Sequence, residues 1–179
     1  MPFVDIETAC CLHENRNTAR EEICLLQKAL VLAALWLSCS AMGACKDIAL
    51  IANKSNPVKN VPLADLLKIC KGQTSRWPDG KPVTLIIRNP GSQEMRLVLE
   101  KIYSMPKDEV ASLILAANHG RANHPAIIIV DSDQSLVQSV EATSGAVGLV
   151  DVYSITGGIN VLRVSGKLPL EPGYVLHGN

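Results

Sequence analysis

The sequence predicts an α/β domain with a mixed, mostly parallel sheet flanked by helices, and two features of the chain lead to this prediction. Apolar, strand-like segments alternate along residues 47–164 with segments whose apolar residues recur at helical spacing. Such alternation is typical of α/β proteins, in which helices connect strands that run largely parallel. Only 3% of the 179 residues are aromatic, so the core of this single domain must be aliphatic.

The individual elements follow from local signals. Runs of Ile, Val, Leu and Ala predict five strands, at residues 47–54, 83–88, 126–130, 145–150 and 159–164. Apolar residues three and four apart predict four helices, at residues 62–70, 92–103, 106–117 and 133–142. The run 126–130 (AIIIV) is continuously apolar, which is typical of a strand buried on both faces. Gly145 and Gly148 punctuate the following strand and permit unusual backbone angles or the close approach of a neighbour.

The N-terminal part of the chain is predicted to lie outside this domain. Residues 28–44 form a signal-peptide-like segment, in which an apolar stretch shorter than the ~20 residues of a membrane span ends in small residues near Gly43 and Ala44. Residues 1–27 are a polar, poorly defined extension. We therefore expect a domain over residues 46–179 that is periplasmic or secreted. The alternatives are a retained membrane anchor and a buried helix.

Two cysteines remain after the expected cleavage point, Cys45 and Cys70. They could form a disulfide in an oxidising compartment, or Cys70 could pack as a small apolar residue on its helix. Residues 42–45 (MGAC) also loosely match a lipobox, in which Cys45 would be lipidated and would attach the domain to a membrane.

Several classes of function find no support in the sequence. The formal net charge is zero and aromatic residues are scarce, which argues against nucleic acid as a partner. No hydrolase, dehydrogenase or phosphate-loop motif occurs, so we expect neither an enzyme nor a cofactor. His119 and His124 lie in a predicted polar loop without further metal ligands. The acidic pair Asp131 and Asp133 fits helix capping by residues 131–132 better than acid–base chemistry.

The segment around Arg88 is the best candidate for a binding site. A predicted strand ends at Arg88, Pro90 and Gly91 form a turn, and Ser92 is placed to cap the next helix. A guanidinium and a hydroxyl beside the free amides of a helix N-terminus can bind an anion. The alternative is that Ser92 only caps the helix while Arg88 ends its strand in solvent.

Five segments, including the one around Arg88, resemble motifs of the phosphate-binding protein of bacterial phosphate ABC transporters, a type 2 periplasmic binding protein, and they occur in the same order along the chain. The segment NKSNPV follows the first strand, and LADLLKICKG (residues 63–72) resembles the helix that leads to I-F-x-G in that family. RWPDGKP (76–82) resembles N-W-x-D-G, RNPGS (88–92) resembles R-x-D-G-S, and ATSGAVGL (142–149) resembles x-x-P-G-A-I-G-Y. The resemblance covers about 120 residues and corresponds to the second lobe of that family.

The resemblance implies a single lobe of a periplasmic binding protein, with Arg88, Ser92 and Gly91 as its ligand-binding residues. The implied ligand is phosphate or a similar small oxyanion, bound weakly or in an accessory transport role. Pro90 stands where the family has an aspartate, Glu94 adds a negative charge, and the family's first lobe would precede Asp47. The alternative is a module on the same fold that has lost the ligand and binds a protein partner of the cell envelope.

Overall fold

A computed structural model of the protein describes residues 46–178, and its centre is a five-stranded mixed sheet. The strand order is β4-β3-β5-β1-β6. The strands are β1 (Ile48–Asn53), β3 (Thr84–Arg88), β4 (Ile127–Val130), β5 (Ala146–Asp151) and β6 (Ile159–Val161). Strand β3 pairs in parallel with β4 and β5, whereas β1 pairs antiparallel with β5 and β6. Only β1 therefore runs against the other four, which confirms the mixed, mostly parallel sheet.

Four helices lie between the strands, close to their predicted positions. They are α1 (Leu63–Cys70), α2 (Arg96–Val98), α3 (Lys107–Asn118) and α4 (Asp133–Ala142). Helix α2 continues into a π-helical turn over Leu99–Tyr103, and a short 3₁₀ helix, Val152–Ser154, follows β5. Helix α1 ends before Gly72, whose φ of 67° lies in the left-handed region that glycine adopts without strain.

The sheet separates two apolar layers. On one face, Leu136, Val137 and Val140 of α4 pack on Ile51 and Ile86. On the other face, α1, α2 and α3 cover a larger cluster that includes Leu50, Leu85, Leu66, Val98 and Ile114. Gly148 of β5 is what allows α4 to approach, because a Cβ atom there would lie 2.6 Å from Leu136 Cδ2.

Two predictions about strands were wrong. Strand β4 was expected to be buried on both faces, but it is the edge of the sheet, and Ile129 is 44% exposed. The predicted strand over 159–164 is broken into β6 and β7 (Arg163–Val164), and β7 pairs in parallel with β2 (Asn60–Val61) in a separate two-stranded sheet. Both errors concern which strand lies beside which, and local composition does not encode that.

Other predictions concern residues 1–45, outside the part that the structure describes. These are the extension 1–27, the signal-peptide-like segment 28–44, and the disulfide or lipidation of Cys45. Cys70 belongs to the described residues. It is a free, buried thiol on α1 and packs among apolar side chains, which was one of the two predicted alternatives. None of the helices in residues 46–178 combines the length and the apolar character that crossing a membrane requires.

Candidate anion-binding site

The candidate site lies at the edge of the sheet where β3, β4 and β5 end. Arg88 is the last residue of β3, Asp133 begins α4 just after β4, and Ser154 closes the 3₁₀ helix after β5. Because parallel strands present their carboxyl ends at the same edge, side chains from three separate segments meet here. This edge is where open α/β sheets commonly bind ligands.

The guanidinium of Arg88 lies between two carboxylates. Its Nη1 donates to Asp133 Oδ1 at 2.7 Å, and its Nη2 lies 3.4 Å from Glu94 Oε2. Asp133 is itself fixed, because Ser154 Oγ donates to Asp133 Oδ2 at 3.0 Å. The Arg88 side chain is only 15% exposed, so these contacts orient a mostly buried cation.

Two polar atoms of this site are buried without a hydrogen-bond partner, Arg88 Nε and Ser92 Oγ. A buried donor or hydroxyl without a partner costs about 1–3 kcal/mol, so native proteins rarely leave one in place without a reason. Both atoms belong to the two residues that the sequence had singled out.

The turn between β3 and α2 differs from the predicted strand–turn–helix junction. Ser92 does not cap a helix, because residues 89–95 form turns and the helix begins only at Arg96, after Met95 as its N-cap residue. The amide of Gly91 donates to Asn89 Oδ1 at 2.9 Å, and the amide of Ser92 donates to Asn89 O at 2.9 Å. Ser92 therefore does not begin a row of free helix amides, and the groups that could bind an anion at this site are side chains.

The charges around Glu94 are arranged so that this carboxylate stays ionised. Its pKa is held below the ordinary value first by its own backbone amide and then by the Ser92 hydroxyl, which lies near the carboxylate without reaching hydrogen-bond geometry. The positive charges of Arg88 and Lys46 lower it as well. Lys46 lies 3.5 Å from Asp151 Oδ2, so it is a second cation at this edge. An incoming anion would meet two cations, Arg88 and Lys46, but also the carboxylates of Glu94, Asp133 and Asp151.

The remaining sequence candidates have structural roles or stay apart from this edge. Ser132 caps α4 by accepting from the Ser135 amide at 3.0 Å, as predicted, whereas Asp131 is exposed. His119 and His124 lie in the loop between α3 and β4. In residues 46–178 no group of three His, Cys, Asp or Glu side chains could hold a metal ion.

Three members of the site, Asp133, Ser154 and Lys46, were not predicted from the sequence. A signal for Asp133 was present, because it follows by only a few residues the strand predicted next after β3 along the chain. Parallel neighbours would bring the ends of these two strands together. Lys46 gave no such signal, since its position depends on β1 running antiparallel beside β5. Ser154 lies at this edge because β5 runs parallel beside β3.

Comparison with solved structures identifies the architecture. An ABC-type phosphate transport receptor from Vibrio cholerae superposes with a TM-score of 0.61 at 18% identity, over 75% of this chain and 55% of that protein. A protein from Clostridium perfringens, assigned as a phosphate ABC transporter substrate-binding protein and solved with bound phosphate, gives 0.60 at 21% identity, over 75% and 54% of the two chains. The described part has the fold of one lobe of a phosphate-binding protein.

This likeness is one of structure and of partial length. PstS from Borrelia burgdorferi gives a TM-score of 0.58 at 17% identity, over 76% of this chain and 56% of that one. The chain thus spans little more than half the length of these phosphate-binding proteins. Neither a family model nor a curated protein matches it in sequence. The resemblance seen in the motifs is confirmed for the fold.

Proposed function

We propose that this chain is a non-enzymatic, solute-binding-type lobe that binds phosphate or a similar small oxyanion weakly through Arg88 and Ser92. The observation that carries the proposal is the pair of buried atoms without partners, Arg88 Nε and Ser92 Oγ. A tetrahedral oxyanion offers several acceptor oxygens, so one ion could satisfy a guanidinium and a hydroxyl together. The structural likeness to phosphate-binding proteins supports this ligand class.

The same site explains why binding is weak. Glu94 and Asp133 already neutralise Arg88, and an oxyanion must compete with both. Gly91 could add its amide only after that amide releases Asn89 Oδ1. A single lobe also leaves its ligand in contact with water, where salt screens the attraction between charges. We propose that a partner covering this edge would strengthen binding, and that the lobe acts in the periplasm or outside the cell.

The test is a phosphate titration of the ¹⁵N-labelled full chain, followed by two-dimensional NMR at constant ionic strength. We expect saturable shifts of the Gly91 and Ser92 amides with a Kd of about 1 mM or weaker. Arg88→Gln should remove the saturation, and Ser92→Ala should weaken binding. Arg96→Gln, which removes an exposed arginine of α2, is the matched control and should change nothing. Shifts that fail to saturate, or that are unchanged in Arg88→Gln, would refute the ligand assignment.

A second candidate function is a protein-interaction module of the cell envelope that has lost its ligand. It is favoured by one observation, the engagement of Arg88 by two carboxylates. In that case phosphate produces no saturable shift in any variant, and a partner co-purifies with the chain from envelope extracts. Arg88→Gln would then leave partner binding intact.

A further inference from the structure

A second cationic site lies at the opposite edge of the sheet, where β3 and β4 begin. Here an open cleft of about 440 Å³ is formed between the segment that leads into β3 and the loop between α3 and β4. Strand β3 has five residues, so about 16 Å separates this edge from Arg88. The cleft shares no residue with the site proposed above.

The lining of the cleft carries positive charge and no counter-charge. The charged groups are the guanidinium of Arg76 in the first wall and that of Arg121 in the second. No carboxylate lines the cleft among the residues described, and the nearby Asp79 is paired with Lys81 at 3.1 Å. Arg121 makes no ion pair within residues 46–178, in contrast to Arg88 with its two.

Both walls of the cleft are fixed to the sheet. In the first wall, the Val83 amide donates to Ser75 O at 3.0 Å, and Arg76 Nη1 donates to Gly80 O at 2.8 Å. In the second wall, the Arg121 amide donates to Asn118 O at 3.0 Å. Asn118 is tied in turn to β4, because its side chain makes two hydrogen bonds to the backbone of Ile127, at 2.7 and 3.0 Å. The cationic side chains therefore extend from a preformed frame, which reduces the entropic cost of binding.

We propose that this cleft binds a small organic phosphate. Guanidinium groups recognise phosphate oxygens through paired hydrogen bonds, and two of them suit a dianionic head better than a single carboxylate. Pro82 lines the cleft as well and provides apolar contact for an organic body. The volume falls within the roughly 300–1,000 Å³ of small-molecule sites. This inference concerns other residues than the proposed function and stands independently of it.

The experiment uses phenyl phosphate as the probe, added to the ¹⁵N-labelled full chain and followed by two-dimensional NMR. We expect saturable shifts of the Ser75, Gly120 and Asn123 amides, distinct from any at Gly91 and Ser92. Arg121→Gln should weaken this binding about tenfold or more, the loss of one charge-assisted hydrogen bond. Arg88→Gln should leave it unchanged, so each site can fail without the other.

Two comparisons decide whether the assignment holds. Benzoate carries the same ring with a single negative charge, and it should bind this cleft more weakly than phenyl phosphate. Benzoate binding equally well would overturn the phosphate assignment. The absence of saturable shifts at the cleft up to about 10 mM phenyl phosphate, or an Arg121→Gln variant that binds as the parent does, would overturn the site itself. The NMR spectrum of each variant shows directly that it is folded.

Discussion

The side chain of Arg88 shows how individual residues set the behaviour of the site. Arg88 is mostly buried, and Asp133, itself held by Ser154, supplies the short contact that fixes its orientation. Glu94 makes the longer contact and is itself 40% exposed. Asp133 is therefore the positioning partner of Arg88, whereas Glu94 is the group that competes with an incoming anion.

Replacing Glu94 tests this division of roles. The substitution Glu94→Gln removes a negative charge beside Arg88 and keeps the shape of the side chain. We expect phosphate affinity, measured from the shift of the Ser92 amide, to rise about three- to tenfold, since the site is partly open to screening solvent. Glu100→Gln, at an exposed position on the π-helical turn, is the matched control and should have no effect. An unchanged or lower affinity in Glu94→Gln would contradict the competing role.

Cys70 provides a prediction about pH. Burial raises the pKa of this thiol from 9.0 to about 12, because the thiolate would have to form among apolar side chains. Because the pKa is higher in the folded chain, the thiol reduces the stability of the fold only above about pH 9, where the unfolded chain loses the proton first. This loss of stability grows as the pH rises toward 12. Raising the pH from 8 to 10 should therefore lower the free energy of unfolding by about 1.4 kcal/mol through the titration of Cys70 in the unfolded chain.

Urea unfolding at the two pH values measures this loss. In Cys70→Ala, the decrease in unfolding free energy between pH 8 and pH 10 should be smaller than in the parent by about that amount. The cavity left by the substitution is the same at both pH values and cancels from the comparison. Equal decreases in the parent and the variant would show that the thiol titrates normally.

Among the elements of the fold, α4 packs closely on β5, and Gly148 makes this contact possible. A Cβ atom at this position would lie 2.6 Å from Leu136 Cδ2, 3.0 Å from Val140 Cγ2 and 3.3 Å from Ile86 O. Gly148→Ala should therefore lower the unfolding free energy by about 1–2 kcal/mol in urea titrations. This loss exceeds the stabilisation that alanine brings by reducing the conformational entropy of the unfolded chain.

A second glycine serves as the control for this prediction. At Gly157 an added Cβ would meet nothing within 4 Å, so Gly157→Ala should change stability by no more than about 0.5 kcal/mol. If the two variants were equally stable, the close approach of α4 to β5 at Gly148 would not be the reason why an alanine is unfavourable there.

The same elements show how far the sequence could predict this structure. Composition and periodicity located each main strand and helix, because they depend on residues that are near one another in the chain. The edge position of β4 and the Arg88–Asp133 pair depend on contacts between segments about 45 residues apart, which no local pattern contains. Ser92 was predicted to cap the helix, but the chain forms turns up to residue 95 and the helix begins only at Arg96.

At the scale of the whole molecule, the chain spans a little more than half the length of the phosphate-binding proteins whose fold it resembles. Two cationic sites lie at opposite edges of one sheet, and each is formed where loops meet the ends of parallel strands. Their chemistry differs, because the Arg88 site is balanced by carboxylates and the Arg121 cleft is not. The signal-peptide-like segment 28–44 stays a prediction of the sequence.

The antiparallel strand β1 has a consequence for how the chain folds as it is made. Its partners β5 and β6 come about 100 residues later, and the Tyr174 hydroxyl, which donates to Ile48 O, comes 126 residues later. The buried IALIAN segment therefore leaves the ribosome long before its partner strands β5 and β6 are made. Of the strands in residues 46–178, the first to be synthesised is thus among the last to be paired, and its apolar side chains lack their strand partners until then.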